Sequence, residues 1–158
     1  MLRSETSPYL CIVTQQHIKD VFIGRRGLHL KQVHILIVDD DPDVLEVWTE
    51  TLEEAGYRVT GTHSAREGLR AQRRDPADVI IADVLMPDMD GLELIGKIRE
   101  EFDGIPVIAV SGGGMYIKGT LCRKLALQIG AAAVLAKPVP ARLLLEAISR
   151  VADFPKNA

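Results

Sequence analysis

Residues 34–44 read HILIVDDDPDV. Aliphatic side chains fill positions 35–38, and three aspartates and a proline follow them. A short apolar run bounded by turn-forming residues is typical of a strand that is buried on both faces. Asp41 followed by Pro42 is typical of a helix N-cap and the first helical position. This stretch therefore predicts a buried strand that delivers a block of negative charge in front of a helix.

The same alternation continues along the chain. Further short aliphatic runs lie at residues 57–61, 78–83, 105–111 and 131–136. Segments of helical period separate or follow them, at residues 43–56, 64–74, 92–102, 117–129 and 139–152. Strands that alternate with helices require a parallel sheet, because each right-handed crossover lays its helix back on the sheet. We therefore predict an α/β fold, a doubly wound five-stranded parallel sheet with five helices.

Local signals support the helix boundaries. Apolar residues of the first helix fall on one stripe, which makes Trp48 a core residue. Ser64 and Glu67 have the spacing of a capping box at the start of the second helix. Gly130 is placed to end the fourth helix.

Composition narrows the class of protein. The chain has 158 residues, 47% of them hydrophobic and 26% charged, which is typical of one globular domain. The net charge of −3 favours neither a nucleic-acid nor a membrane partner. No apolar run approaches the ~18 residues of a membrane span, so we expect no membrane insertion. Cys11 and Cys122 lie far apart and are interpreted as reduced thiols of a cytoplasmic protein.

The two ends of the chain differ from its middle. Residues 1–32 have no sustained period and are interpreted as an extension. Either a partly ordered arm that packs on the domain or a start codon placed too far upstream is compatible with the sequence. The predicted domain covers residues 33–153, and residues 154–158 form a tail with no room for an output domain.

Polar residues follow the predicted strands at their carboxyl ends. In an open parallel sheet these ends share one crevice, so we expect the following residues to meet: Asp39 and Asp40, Asp83, Ser111 and Lys137. Three carboxylates would repel one another by about 4 kcal/mol per pair at ~4 Å and an effective dielectric near 20. Lys137 supplies one positive charge, and the remaining excess matches a divalent cation. An all-oxygen site with few protein ligands favours Mg²⁺ as the cofactor.

Four motifs stand at these strand ends: VDDDP at residues 38–42, DVLMPDMDG at 83–91, VSG at 110–112 and AKP at 136–138. In type, order and spacing they resemble the receiver domain of bacterial response regulators, over residues 33–153. The resemblance implies the flavodoxin-like strand order 2-1-3-4-5. It also implies a cis peptide bond between Lys137 and Pro138.

The resemblance further implies roles for single residues. Asp83 is the expected acceptor of a phosphoryl group from a histidine kinase or phosphotransfer protein. The implied metal ligands are Asp39, Asp40, Asp83 and the backbone carbonyl of Leu85. Ser111, the Gly112 amide and Lys137 are expected to bind the phosphoryl oxygens. Output is expected in trans, through a protein bound to the face of helix 4, strand 5 and helix 5.

The sequence departs from the family at several positions. Many receivers carry an aromatic switch residue where this chain has Val134. We expect movement of residues 112–118 and the fourth helix to replace an aromatic rotamer change. Neither Gly113 nor Leu85 can orient an attacking water, so we predict slow self-dephosphorylation, suited to a phosphorelay or a lasting signal.

Other interpretations stay open at this point. Asp39–Asp41 alone would suit a solvated turn with an N-cap, and Lys137 alone would suit a solvated lysine. A Mg²⁺-dependent phosphatase with an aspartyl nucleophile is the enzyme alternative, although such enzymes usually carry a general-acid aspartate where Leu85 stands. An interaction module that is never phosphorylated is the third, and intact Asp83, Ser111 and Lys137 argue against it.

Overall fold

The computed structural model describes residues 32–87, 89, 91–112 and 124–152. The predicted extension up to residue 31, the tail over 154–158 and the start of the fourth helix lie outside the described residues. So do Gly113 and most of the 112–118 segment.

Five strands and five helices alternate along the described chain. The strands are β1 (His34–Val38), β2 (Arg58–Thr62), β3 (Val79–Asp83), β4 (Val107–Ser111) and β5 (Ala133–Ala136). The helices are α1 (Pro42–Glu54), α2 (Ala65–Arg74), α3 (Gly91–Glu101), α4 (residues 124–129 as described) and α5 (Ala141–Ala152). None of these described helices has the length and apolar character needed to cross a membrane.

The strands form one parallel sheet in the order β2-β1-β3-β4-β5. This confirms the predicted fold class and strand order. Leu36 and Val38 of β1 pack into one apolar cluster with residues of α2 and α3. Ile35 and Ile37 pack into a second cluster with residues of α1 and α5, which includes Trp48. Successive strand residues point to opposite faces, so a sheet covered on both faces needs an unbroken aliphatic run.

The helix starts follow the predicted capping chemistry with one difference. The Asp41 side chain accepts hydrogen bonds from the first-turn amides of α1, which confirms it as the N-cap. Ser64 accepts from the Glu67 amide as predicted. The Glu67 carboxylate, however, accepts from the His63 amide and not from Ser64, so the capping box is displaced by one residue.

The last two helices are bounded by glycine and proline. Gly130 has a φ of +107° at the end of α4, where only glycine is free of strain. The final helix begins at Ala141, two residues after the predicted start at 139. The Pro140 carbonyl accepts from the amides of Leu143 and Leu144, so Pro140 precedes the first helical residue.

Candidate functional site

The predicted site residues meet at the carboxyl edge of the sheet. Asp39 follows β1, and Asp83 ends the neighbouring strand β3. Asp39 is fully buried and Asp83 is 5% exposed, whereas Asp40 is exposed to solvent. Two buried carboxylates beside an exposed one make a polar crevice open on one side.

Lys137 connects the two buried carboxylates. Its ammonium group donates to Asp39 Oδ2 at 2.7 Å and to Asp83 Oδ2 at 2.8 Å. Its backbone amide donates to the Ser111 carbonyl at 3.0 Å, which anchors Lys137 at the end of β4. The Lys137–Pro138 peptide bond is cis, as the resemblance implied.

The second oxygen of each buried carboxylate accepts from a backbone amide. Asp39 Oδ1 accepts from the Asp41 N–H at 3.0 Å, and Asp83 Oδ1 accepts from the Leu85 N–H at 2.9 Å. Both bonds join residue i to the amide of residue i+2, the pattern of an Asx turn. Sequence reasoning missed these two amides, although aspartate at the start of a loop is the signal for such a turn.

The charges in the crevice are only partly balanced. Burial raises the pKa of the Asp39 carboxyl, and the hydrogen bonds from Lys137 and the Asp41 amide lower it by less. Burial lowers the pKa of Lys137, but its bonds to Asp39 and Asp83 and their charges outweigh this, so its pKa lies above the usual value. Lys137 is therefore protonated at neutral pH, and a further cation would favour ionised Asp39.

Three carboxylates are close enough to hold a metal ion. One carboxylate oxygen from each of Asp39, Asp40 and Asp83 lies within 4.8 Å of the others. Three carboxylates beside one ammonium leave an excess of two negative charges. An oxygen-only donor set with that excess fits a hard divalent cation.

The Ser111 hydroxyl is a buried polar group in need of a partner. Its residue is 1% exposed, and Oγ makes no hydrogen bond within the described part of the chain. A buried hydroxyl without a partner is costly, so such groups often mark the place of a ligand. Gly112 lies beside it, and a Cβ added there would stand 3.8 Å from Lys137 Cδ. The three predicted phosphate-binding residues therefore lie together.

A family model for the response regulator receiver domain matches residues 35–149. The chain belongs to this family. Receiver domains are regulatory phosphoacceptors of two-component systems, and they act on output domains or partner proteins. The match confirms the resemblance on which the residue roles were predicted.

Proteins much longer than this chain and proteins of similar length both resemble it. It is 36% identical over 118 residues to the transcriptional regulatory protein GlrR of Escherichia coli, covering 75% of this chain and 26% of GlrR. It is 37% identical to an uncharacterized 14.6 kDa protein of Leptolyngbya boryana, covering 82% of this chain and 98% of that protein. A CheY-like receiver domain protein from Methanospirillum hungatei is similar in structure, with a TM-score of 0.71 and 34% identity over 78% of this chain and 95% of the other. The chain thus spans about a quarter of GlrR.

Val134 occupies the position at which we noted the missing aromatic residue. It pairs in register with Ala109 of β4, is partly buried, and packs against the cluster that contains α2 and α3 residues. A valine has no aromatic ring to swing between buried and exposed positions.

Proposed function

We propose that this receiver is a phosphorylation-activated switch that accepts a phosphoryl group on Asp83 from a histidine kinase or phosphotransfer protein. The observation that carries the proposal is the meeting of Asp83, the Lys137 ammonium and the unsatisfied Ser111 hydroxyl in one crevice. A cytoplasmic location, expected from the sequence, is part of the proposal.

The chemistry assigned to these residues is positioning and charge neutralisation. An Asp83 carboxylate oxygen forms a bond to phosphorus while the bond between phosphorus and the donor histidine nitrogen breaks. Lys137 pairs with the negative charge of the transferred group, and the Ser111 hydroxyl and Gly112 amide donate to its oxygens. Catalysis of phosphoryl transfer rests largely on such contacts.

Mg²⁺ fits the donor set and is proposed as the cofactor. Asp39, Asp40 and Asp83, with the Leu85 carbonyl, would hold it. When bound, it supplies positive charge beside the transferring phosphoryl group.

Asp40→Asn should weaken Mg²⁺ binding, because it removes one of three ligand carboxylates. Free Mg²⁺ at about ten times its Kd stabilises the wild type by roughly 1.4 kcal/mol. This corresponds to a rise of about 4 °C in Tm, which the variant should lack at the same concentration. Differential scanning fluorimetry with and without MgCl2 measures it. Asp43→Asn, in the first turn of α1, is the control, and an equal Mg²⁺ response in all three proteins would refute the assignment.

Leu85 is proposed to keep the acyl phosphate long-lived. Its side chain is 55% exposed at the mouth of the crevice and cannot hydrogen-bond a water. We expect a lifetime of minutes to hours for the wild type, shortened about tenfold or more by Leu85→Gln because an amide can orient the attacking water. Loss of ³²P after removal of the donor measures it. Leu127→Gln, at a leucine 53% exposed on α4, is the control and should leave the acyl-phosphate lifetime unchanged. A wild-type lifetime of seconds would contradict the prediction.

Incubation with acetyl phosphate and Mg²⁺, followed by intact-mass measurement, tests the function. A switch gains one phosphoryl group per chain and does not turn over para-nitrophenyl phosphate. Continuous hydrolysis of that ester would favour the aspartyl-phosphatase alternative. No mass gain with acetyl phosphate or with a panel of phosphorylated histidine kinases would favour an interaction module that is never phosphorylated.

Output is proposed to act in trans, through a partner protein bound to the face of α4, β5 and α5. Leu127 of α4 and Leu143 of α5 are exposed apolar side chains on these elements.

A further inference from the structure

A cleft of about 460 Å³ lies between α2 and α3, on elements that the proposed phosphorylation chemistry does not use. Leu69 of α2 and Met89 of the loop before α3 form its apolar lining and are 5% and 9% exposed. The rest of the lining is charged. Small-molecule sites are lined mainly by apolar groups with a few polar ones, so this lining suits a charged chain better than a small ligand.

Some of the charged side chains of the cleft neutralise one another. Arg73 donates two hydrogen bonds to the Glu101 carboxylate, at 2.8 and 2.6 Å. Lys97 pairs with Glu93 at 3.0 Å. Glu100 is the third carboxylate of the lining, so four cationic side chains stand beside three acidic ones.

Arg66 and Arg70 of α2 lie outside these two ion pairs. Neither makes a hydrogen bond or ion pair with any other described residue, although both line the cleft. Like charges at positions i and i+4 of a helix destabilise it. Arg66 also lies in the first turn of α2, where the helix dipole favours negative charge. Arg66 departs from both local rules and Arg70 from the first, and departures of this kind are more frequent at functional surfaces.

We propose that this cleft binds an acidic peptide segment of a partner protein. Arg66 and Arg70 would each pair with a carboxylate, and their spacing of one helical turn fits two acidic side chains a turn apart. The guanidinium group suits this role because its planar fork binds a carboxylate through two parallel hydrogen bonds. An apolar side chain of the peptide would contact Leu69 and Met89.

Fluorescence anisotropy of a labelled alanine-based helical peptide tests the proposal on the full, unphosphorylated chain without Mg²⁺. The probe carries two glutamates four residues apart and a leucine between them, and the matched probe carries glutamines instead. The glutamate probe should bind saturably and about tenfold more tightly than the glutamine probe. Added NaCl should weaken this binding by screening the charges. Because Asp83 takes no part, the result does not depend on whether Asp83 accepts phosphate.

Two double variants locate the binding. Arg66→Gln with Arg70→Gln should weaken it about tenfold or more. Arg142→Gln with Arg150→Gln removes the same charge from α5, where both arginines pair with Glu146, and should leave the affinity unchanged. With the wild type, the NMR methyl signals of Leu69 and Met89 should shift on titration. No saturable binding of the glutamate probe, equal losses in both variants, or methyl shifts confined to other residues would overturn the proposal.

Discussion

Asp83→Asn is expected to abolish phosphorylation by acetyl phosphate, so that the variant gains no mass under conditions in which the wild type gains one phosphoryl group. The amide nitrogen and oxygen of asparagine are too weakly nucleophilic to attack phosphorus at neutral pH. Lys137 and the Leu85 amide hold the Asp83 carboxylate in place at the carboxyl edge of the sheet. Intact-mass spectrometry of both proteins after the same incubation measures the effect.

The fold of this variant should persist. Asparagine is the same size as aspartate, and its oxygen can still accept from Lys137 or from Leu85. Lys137 also keeps its bond to Asp39. Near-UV circular dichroism from Trp48, which packs in the core, would report a loss of packing separately from a loss of chemistry.

Asp75→Asn is the matched control. Asp75 is exposed and paired with Arg58, and exposed pairs of this kind contribute little to stability. The control should gain the same mass as the wild type. A full phosphoryl gain in Asp83→Asn would place the acceptor elsewhere, and fragmentation of the phosphorylated chain would then identify it.

The sequence was sufficient for the architecture because the decisive residues are local. The run Ile35–Val38 is buried on both faces, which is why an unbroken aliphatic strand indicated a covered parallel sheet. The parallel arrangement then predicted that Asp83 and Lys137 would meet, and they do, at 2.8 Å. The order of the strands in the sheet could not be predicted from local sequence in the same way. β1, β3 and β4 share the same fully buried pattern, so their hydrophobicity does not rank them, and the order came from the resemblance.

Side-chain contacts between α2 and α3 could not be predicted from the sequence. Arg73 donates to Glu101 across the cleft, whereas Arg66 and Arg70 have no partner among the described residues. The distances between side chains of α2 and α3 depend on how the two helices pack, which the sequence does not give. The backbone amides that hold Asp39 and Asp83 were missed for another reason. Aspartate at the start of a loop favours an Asx turn, but every non-proline residue has an amide, so residue type alone does not show which amide binds the carboxylate.

Gly91 was recognised only as the last residue of the motif at residues 83–91, and the predicted third helix began at residue 92. In the structure Gly91 begins α3, and its amide donates to the Val84 carbonyl at 2.9 Å. A Cβ on Gly91 would overlap the Asp83 carbonyl oxygen and would stand 2.6 Å from Val84 Cα. These are backbone atoms of the strand end, so no side-chain rotation relieves the overlap. The glycine is what allows α3 to start against the segment that carries the acceptor.

Gly91→Ala should therefore destabilise the protein by about 3 kcal/mol, at the upper end of the usual cost of overpacking. For a domain of this size the Tm should fall by about 10 °C. Because relief of the overlap must displace the backbone at Asp83, the rate of phosphorylation by acetyl phosphate should also fall in the fraction that remains folded. Thermal unfolding followed by circular dichroism, and mass gain at a temperature well below the variant's Tm, measure the two effects.

Gly96→Ala makes the same chemical change in the same helix and serves as the control. A Cβ at Gly96 meets only Ile129 Cγ2, at 4.0 Å, which is an ordinary contact. Alanine is favoured over glycine inside a helix by up to about 1 kcal/mol, so this variant should unfold at or slightly above the wild-type temperature. Opposite shifts in Tm for the two variants would separate the close approach at Asp83 from any general effect of alanine in α3. If Gly91→Ala is as stable as Gly96→Ala, α3 can move away from the end of β3 at little cost in stability. The close approach of Gly91 would then not be needed to position the site, and the contacts of Lys137 and the two Asx turns would suffice.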